Sequence, residues 1–164
     1  MAAGNTYTPI ATNTLSSATA SVTFSSISGA YTDLVLVINA ASSSAASCRI
    51  RFNGDTATNY SDTRLYGDGT SATSDRLTTR DHINCGDLSL TTITSNQVIN
   101  IQNYANATTY KTVLTRSNIP GSYVFANVSM WRATPAAITS IVIFPASGNL
   151  VSGSTFSLYG IAAA

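Results

Sequence analysis

Strand-length segments separated by Gly, Pro and Asn turns run through this chain, and no window carries the 3.6-residue apolar period of an amphipathic helix. That property confines the chain to all-β architectures. Residues 33–40 (DLVLVINA) form a continuous apolar run, as expected of a strand covered on both faces. Residues 47–53 (SCRIRFN) alternate instead, with Cys48, Ile50 and Phe52 on one side and Arg49 and Arg51 on the other. Val22-Thr23-Phe24 alternates ahead of the Ser28-Gly29 turn. Further strands are expected at Arg64-Leu65-Tyr66 and over residues 98–102, 110–116, 123–131, 138–144 and 154–161. Turns are expected at Asn53-Gly54-Asp55, Gly67-Asp68-Gly69, Pro120-Gly121 and Gly148-Asn149.

Within residues 123–131, Val124, Ala126, Val128 and Met130 alternate against Tyr123, Phe125, Asn127, Ser129 and Trp131. Residues 70–87 hold most of the remaining charge and read as an irregular excursion containing one or two strands. About nine or ten short strands predict an antiparallel β-sandwich, jelly-roll-like in arrangement. Residues 1–18 are rich in Ala, Thr, Asn and Ser, with isolated anchors at Tyr7, Ile10 and Leu15. They read as an extended N-terminal arm lying on its own domain or on a neighbour, and residues 19–164 as a single sandwich domain.

Composition narrows the function. Charged residues make up 9% of the chain, against about 25% in ordinary soluble proteins. There is no glutamate, Lys111 is the only lysine, and Ser and Thr together reach roughly 29%. Thr suits a pleated surface, and hydroxyls keep that surface wet without generating a field. A net charge of +1 argues against nucleic acid as a partner, since binding needs clustered Lys and Arg to displace phosphate counterions. It argues equally against an anionic membrane surface. Met1-Ala2-Ala3-Gly4-Asn5 lacks the basic start and apolar run of a signal peptide, so the sequons at Asn59, Asn106 and Asn127 are expected to stay unmodified.

The inventory for catalysis is thin, and the chain is expected not to be an enzyme. His82 is the single histidine, and Asp81 beside it should point to the opposite face if both lie on a strand. A structural hydrogen bond is the expected role of that histidine. All seven acidic residues are Asp; Asp55 and Asp68 sit against glycines, where Asp supports turns through its own side chain. No metal ligand set, cofactor or phosphate-cradling loop is indicated. Cys48 and Cys85 read as buried free thiols or as one bridge. The tyrosines and Trp131 read as core and rim packing, with a sugar platform as the alternative.

Several segments, in order, resemble virion proteins of tailed bacteriophages: Tyr31-Thr32-Asp33-Leu34-Val35-Leu36-Val37, Arg51-Phe52-Asn53-Gly54-Asp55 with Asn59-Tyr60-Ser61, Arg64-Leu65-Tyr66-Gly67, and the final Gly153-Ser154-Thr155-Phe156-Ser157-Leu158-Tyr159-Gly160-Ile161. The resemblance runs from about residue 6 onwards and carries no catalytic residues. It implies a capsid decoration (cement) protein, made in the host cytoplasm and placed on the virion surface. Its implied partners are the major capsid protein and its own copies in a homotrimer. The alternative it implies is a tail-fibre or receptor-binding module that contacts host surface glycans. Tyr7, Ile10 and Leu15 of the arm and Arg49 and Arg51 of the alternating strand are the expected interface residues.

Overall fold

The computed structural model describes residues 6–90, 94–119 and 122–162; the expected Pro120-Gly121 turn and the first five residues of the expected arm lie outside them. The described chain is all-β. Its strands are β1 (Tyr7–Thr14), β2 (Val22–Phe24), β3 (Asp33–Ser42), β4 (Ala46–Phe52), β5 (Tyr60–Gly67), β6 (Ala72–Arg80), β7 (Ile83–Leu90), β8 (Ser95–Ile101), β9 (Lys111–Ile119), β10 (Tyr123–Trp131), β11 (Ile141–Pro145) and β12 (Thr155–Ile161). No helix among the described residues is long and apolar enough to cross a membrane.

Pairing is antiparallel except at one place, and it joins two arrays. A short array runs β2-β11-β4-β7, and a long one runs β3-β8-β9-β10-β5-β6, with β12 and then β1 added beside β3. The arrays meet where Ala41 and Ser42 pair in parallel with Ser89 and Leu90. The chain crosses between arrays repeatedly, from β2 to β3, back to β4, and on to β5 and β6 before returning at β7. This order is compatible with the expected jelly roll.

The crossings gather the inward residues of both arrays into one apolar cluster. Leu34, Leu36 and Ile38 of β3 meet Ile50 and Phe52 of β4, Ile141 and Ile143 of β11, and Phe156 and Leu158 of β12. Cys48, Ile50 and Phe52 lie inward as their alternation predicts, and Cys48 and Cys85 are both free and buried. Trp131 packs edge-on against Phe52 at 5.7 Å, and its indole N–H donates to Asp55 Oδ2 at 2.7 Å, so a large buried ring keeps its polar handle satisfied. Gly160 is required by a close approach, since a Cβ there would lie 2.3 Å from the Tyr31 ring.

The N-terminal segment is not a free arm over its described residues. Tyr7–Thr14 pairs with β12 of the same chain as an edge strand, with a register shift between Pro9 and Ala11. Pro9 cannot donate to a ladder, and edge positions and bulges are where a strand tolerates it. The bulge leaves Ile10 packed against the core, and Leu15 is itself part of it at 9% exposure.

The charged stretch is more regular than its composition suggests. Residues 70–87 contain all of β6 and the first five residues of β7. Two of their aspartates are held by arginines of other strands, Asp81 by Arg51 and Asp75 by Arg64; Arg64 of β5 faces Asp75 of β6 in register, and its Nε donates to Asp75 Oδ1 at 2.6 Å.

Candidate functional site: two outer faces and a cleft

The outer face of the short array is basic. Arg49 and Arg51 of β4 point outward, between Phe144 and Val142 of β11 on one side and β7 on the other. Arg49 pairs with Asn84, and Ile50 with Ile83, so His82 comes beside Arg51. The Arg51 guanidinium lies 4.6 Å from the Phe144 ring centroid, donates through Nε to the Asp81 carbonyl at 2.9 Å, and forms an ion pair with the Asp81 carboxylate.

Asp81 and His82 do interact, contrary to the expectation that they would face opposite ways. They occupy the β6–β7 turn, where strand alternation does not operate, and His82 Nδ1 lies 2.6 Å from Asp81 Oδ1. Arg80 Nη2 lies 2.7 Å from the other ring nitrogen. A guanidinium can only donate, so Nε2 is the acceptor, Nδ1 carries the proton, and the imidazole is neutral. Burial lowers the His82 pKa, and Arg49 and Arg80 lower it further against the opposing effect of the hydrogen bond it donates to Asp81. Burial alone would raise the Asp81 pKa, but hydrogen bonds from His82 and Arg51 outweigh it and bring it to about 2. Both imidazole nitrogens are thus engaged, which is the structural role expected of His82.

The outer face of the long array is apolar at its far end. Val124, Val128 and Met130 of β10 are exposed at 65%, 50% and 37%, and Leu65 of β5 and Leu114 of β9 join them. The register places Leu114 directly opposite Val128, and Leu65 opposite Ala126. A groove of about 470 Å³ runs over Leu65, Val124 and Ala126, with Arg116 at its side. Sequence reasoning did not assign these residues to an interface, although the β10 alternation was visible.

A third feature is a cleft of about 340 Å³ bounded by Arg64, Tyr66, Asn84, Asp87 and Tyr123. The Tyr66 and Tyr123 rings are 6.2 Å apart and tilted, and the Tyr123 hydroxyl donates to Asp87. Burial together with the adjacent Asp87 carboxylate pushes the Tyr123 pKa up, so the phenol stays protonated. Asp68 at the rim is held by its own turn, accepting from the Thr70 and Ser71 amides at 2.8 and 2.7 Å. Asp55 does the same for the Ala57 amide at 2.9 Å, the turn role expected of both residues.

The expected interface residues therefore separate. Tyr7 is 54% exposed and rests edge-on against Tyr159, whereas Ile10 and Leu15 contribute to packing within the chain. Arg49 and Arg51 share the basic face, distant in register from the apolar end of β10. Among the described residues no group of three or more His, Cys, Asp or Glu side chains is placed to hold a metal ion. Comparison with protein-family models, curated proteins and solved structures returns no match to this chain. What the geometry defines is an all-β domain with two chemically distinct outer faces.

Proposed function

We propose that this protein is a structural component of a tailed-phage particle, a decoration protein that stabilises the head shell, acting as a jelly-roll domain rather than as an enzyme. The observation that carries the reading is the exposed apolar end of the long array. Leu65, Leu114, Val124, Val128 and Met130 form a neighbouring set of large apolar side chains on a chain with little charge elsewhere. Such patches mark interaction surfaces, and permanent assemblies bury the more hydrophobic ones. In this reading copies of the chain associate as a homotrimer through that face, and the assembled unit contacts the major capsid protein. Repetition over the shell then multiplies modest contacts by multivalency. The ordered resemblance of the segments at residues 31–37, 51–67 and 153–161 to virion proteins supports the same reading. The engagement of both His82 nitrogens supports a non-catalytic role.

The test is the copy number in purified virions, measured by quantitative mass spectrometry. On the order of hundreds of copies per particle is expected for repeated shell contacts; a count of a few dozen or fewer would sink the decoration reading. The cleft between Tyr66, Tyr123 and Asp87 favours a second reading, a tail-located module that contacts host glycans. Aromatic rings beside a carboxylate and an amide suit a neutral sugar ring, and about 340 Å³ is at the small end of ligand sites. Saturable binding on a glycan array, abolished by Tyr66→Ala, together with a low copy number would establish that alternative.

A further inference from the structure

The basic face holds more positive charge than its own carboxylates neutralise. Of the eight Lys and Arg residues in the whole chain, Arg49, Arg51 and Arg80 converge on it; among the described residues Asp81 pairs directly with Arg51 alone of the three, and Arg80 donates to His82. Asp81 is already shared between Arg51 and His82, and the neutral imidazole contributes no charge. The other carboxylates within electrostatic reach are occupied elsewhere. Asp75 is gripped by Arg64, and Asp55 accepts from Trp131 and Asn59. Arg49 Nε and Arg80 Nε are both buried, and neither has a hydrogen-bond partner among the described residues.

An unmatched buried donor is costly, and neighbouring guanidiniums repel one another. Arg49 and Arg80 lie within electrostatic reach of each other, and an oxygen anion would match both unpartnered donors. We propose that Arg49 and Arg80, backed by Arg51, form an oxyanion seat. Its ligand is an oxygen anion able to accept from the Nε–Nη edge of a guanidinium, the geometry that carboxylates and phosphates match. Both arginine side chains are half-buried, and presenting the buried Nε to an incoming ligand requires a side-chain rotation that, at Arg80, releases the bond to His82 Nε2. The two sources of this chemistry are an acidic segment of a partner polypeptide and a free inorganic oxyanion. This inference stands apart from the particle reading, because it concerns the short array and needs neither trimer nor shell.

The test follows the Arg Nε–Hε resonances of the ¹⁵N-labelled full chain. One arm titrates inorganic phosphate, a second sulfate, and a third a soluble Glu–Gly repeat peptide, with sodium chloride holding ionic strength constant. Saturable shifts at Arg49 and Arg80 are expected, with affinity falling about tenfold or more in Arg49→Gln and in Arg80→Gln. Arg49→Lys keeps the charge but lacks the fork, and is expected to fall nearly as far. Arg116→Gln, on the other array, should match the parent chain. Tighter binding of the peptide identifies a protein partner, and tighter binding of phosphate or sulfate identifies a free anion. Shifts that follow ionic strength alone, or saturation unchanged in both glutamine variants, would overturn the proposal.

Discussion

The outer faces of the two arrays use the same backbone geometry for opposite purposes. On β10 the outward side carries Val124, Val128 and Met130, while the inward side carries Asn127 and Ser129. On β4 the order is the familiar one, with arginines outward and Cys48, Ile50 and Phe52 inward. The inversion on β10 is supported from within. Asn127 Nδ2 donates to the Asn84 carbonyl and to Ser129 Oγ, each at 2.8 Å, and Ser129 Oγ donates to Asp62 at 2.7 Å. The network satisfies the Asn127 amide donors and the Ser129 hydroxyl, leaving Asn127 Oδ1 without a partner among the described residues, and it accompanies an outer side of the strand that is apolar. One outer face is thereby apolar, and the other carries charge.

The sharpest way to break this contrast is to charge the apolar face. Val124→Asp with Val128→Asp is expected to weaken self-association by about a hundredfold or more, since each buried carboxylate would be unpaired. Light-scattering mass should fall to that of the monomer. Both sites are exposed in the single chain, so monomer stability should change by no more than about 1 kcal/mol. Unchanged mass would remove the apolar face from the assembly. The matching change on the basic face is Asp81→Asn, which takes away the carboxylate that pairs with Arg51 and accepts from His82. Its carboxylate is 41% exposed, so the loss is expected near the low end for charged hydrogen bonds, about 1–2 kcal/mol by chemical denaturation. Light-scattering mass should stay constant. A stability loss in the first variant and a mass change in the second would show that the two faces are not separate devices.

The contrast also marks how far the sequence could be read. The alternation of β4 was legible because its apolar side packs inward and its arginines stay outside, in agreement with local hydropathy. On β10 the period was equally clear, but hydropathy favours the wrong side. What decides the matter is Asp62 on β5 and Asn84 on β7, brought near by pairings far apart in sequence. The strands within residues 70–87 were obscured for a related reason. Their charges read as solvated excursion, whereas Arg64–Asp75 and Arg51–Asp81 pairs knit them into the fold. Leu15 resembled an anchor for a partner because its neighbours are small and polar, yet its partner is the chain's own core. Arg80 left one faint signal, a local density of charge in a chain nearly free of it.

Mild acid, between about pH 6.5 and 5, offers a gentler probe through the single histidine of the basic face. His82 is neutral in the folded state and its pKa lies below 6.5, so the unfolded chain takes up the proton first. Its contribution to stability is therefore complete above about pH 6.5 and declines as the pH falls towards the folded-state pKa, by at most about 1.4 kcal/mol per pH unit. Protonation would also convert Nε2 from acceptor to donor and break its bond with Arg80. His82→Gln can accept from Arg80 and donate to Asp81 without titrating, so denaturation midpoints of this variant should stay flat between pH 6.5 and 5. Asp81 adds a separate loss below its unfolded value near 3.8, complete once the pH passes about 2. An equal decline in both proteins above pH 5 would place the acid sensitivity elsewhere.

The smallest expected effect lies at Lys111, which tests whether burying a charge requires an opposite one. The only lysine is 1% exposed at the first position of β9 and donates to the Asn106 and Thr109 carbonyls, at 2.5 and 2.8 Å. Burial lowers its pKa, so the charge itself is a cost that the loop carbonyls offset. Lys111→Met keeps the stem and removes the charge together with both donors. The two opposing terms should leave a net loss of about 1 kcal/mol or less, with increased hydrogen exchange confined to residues 106–110. A larger and global loss would mean that the ammonium organises the sheet beneath it as well as the loop. Lys111 would then join Arg51 and Arg64 among the cations that hold strands together.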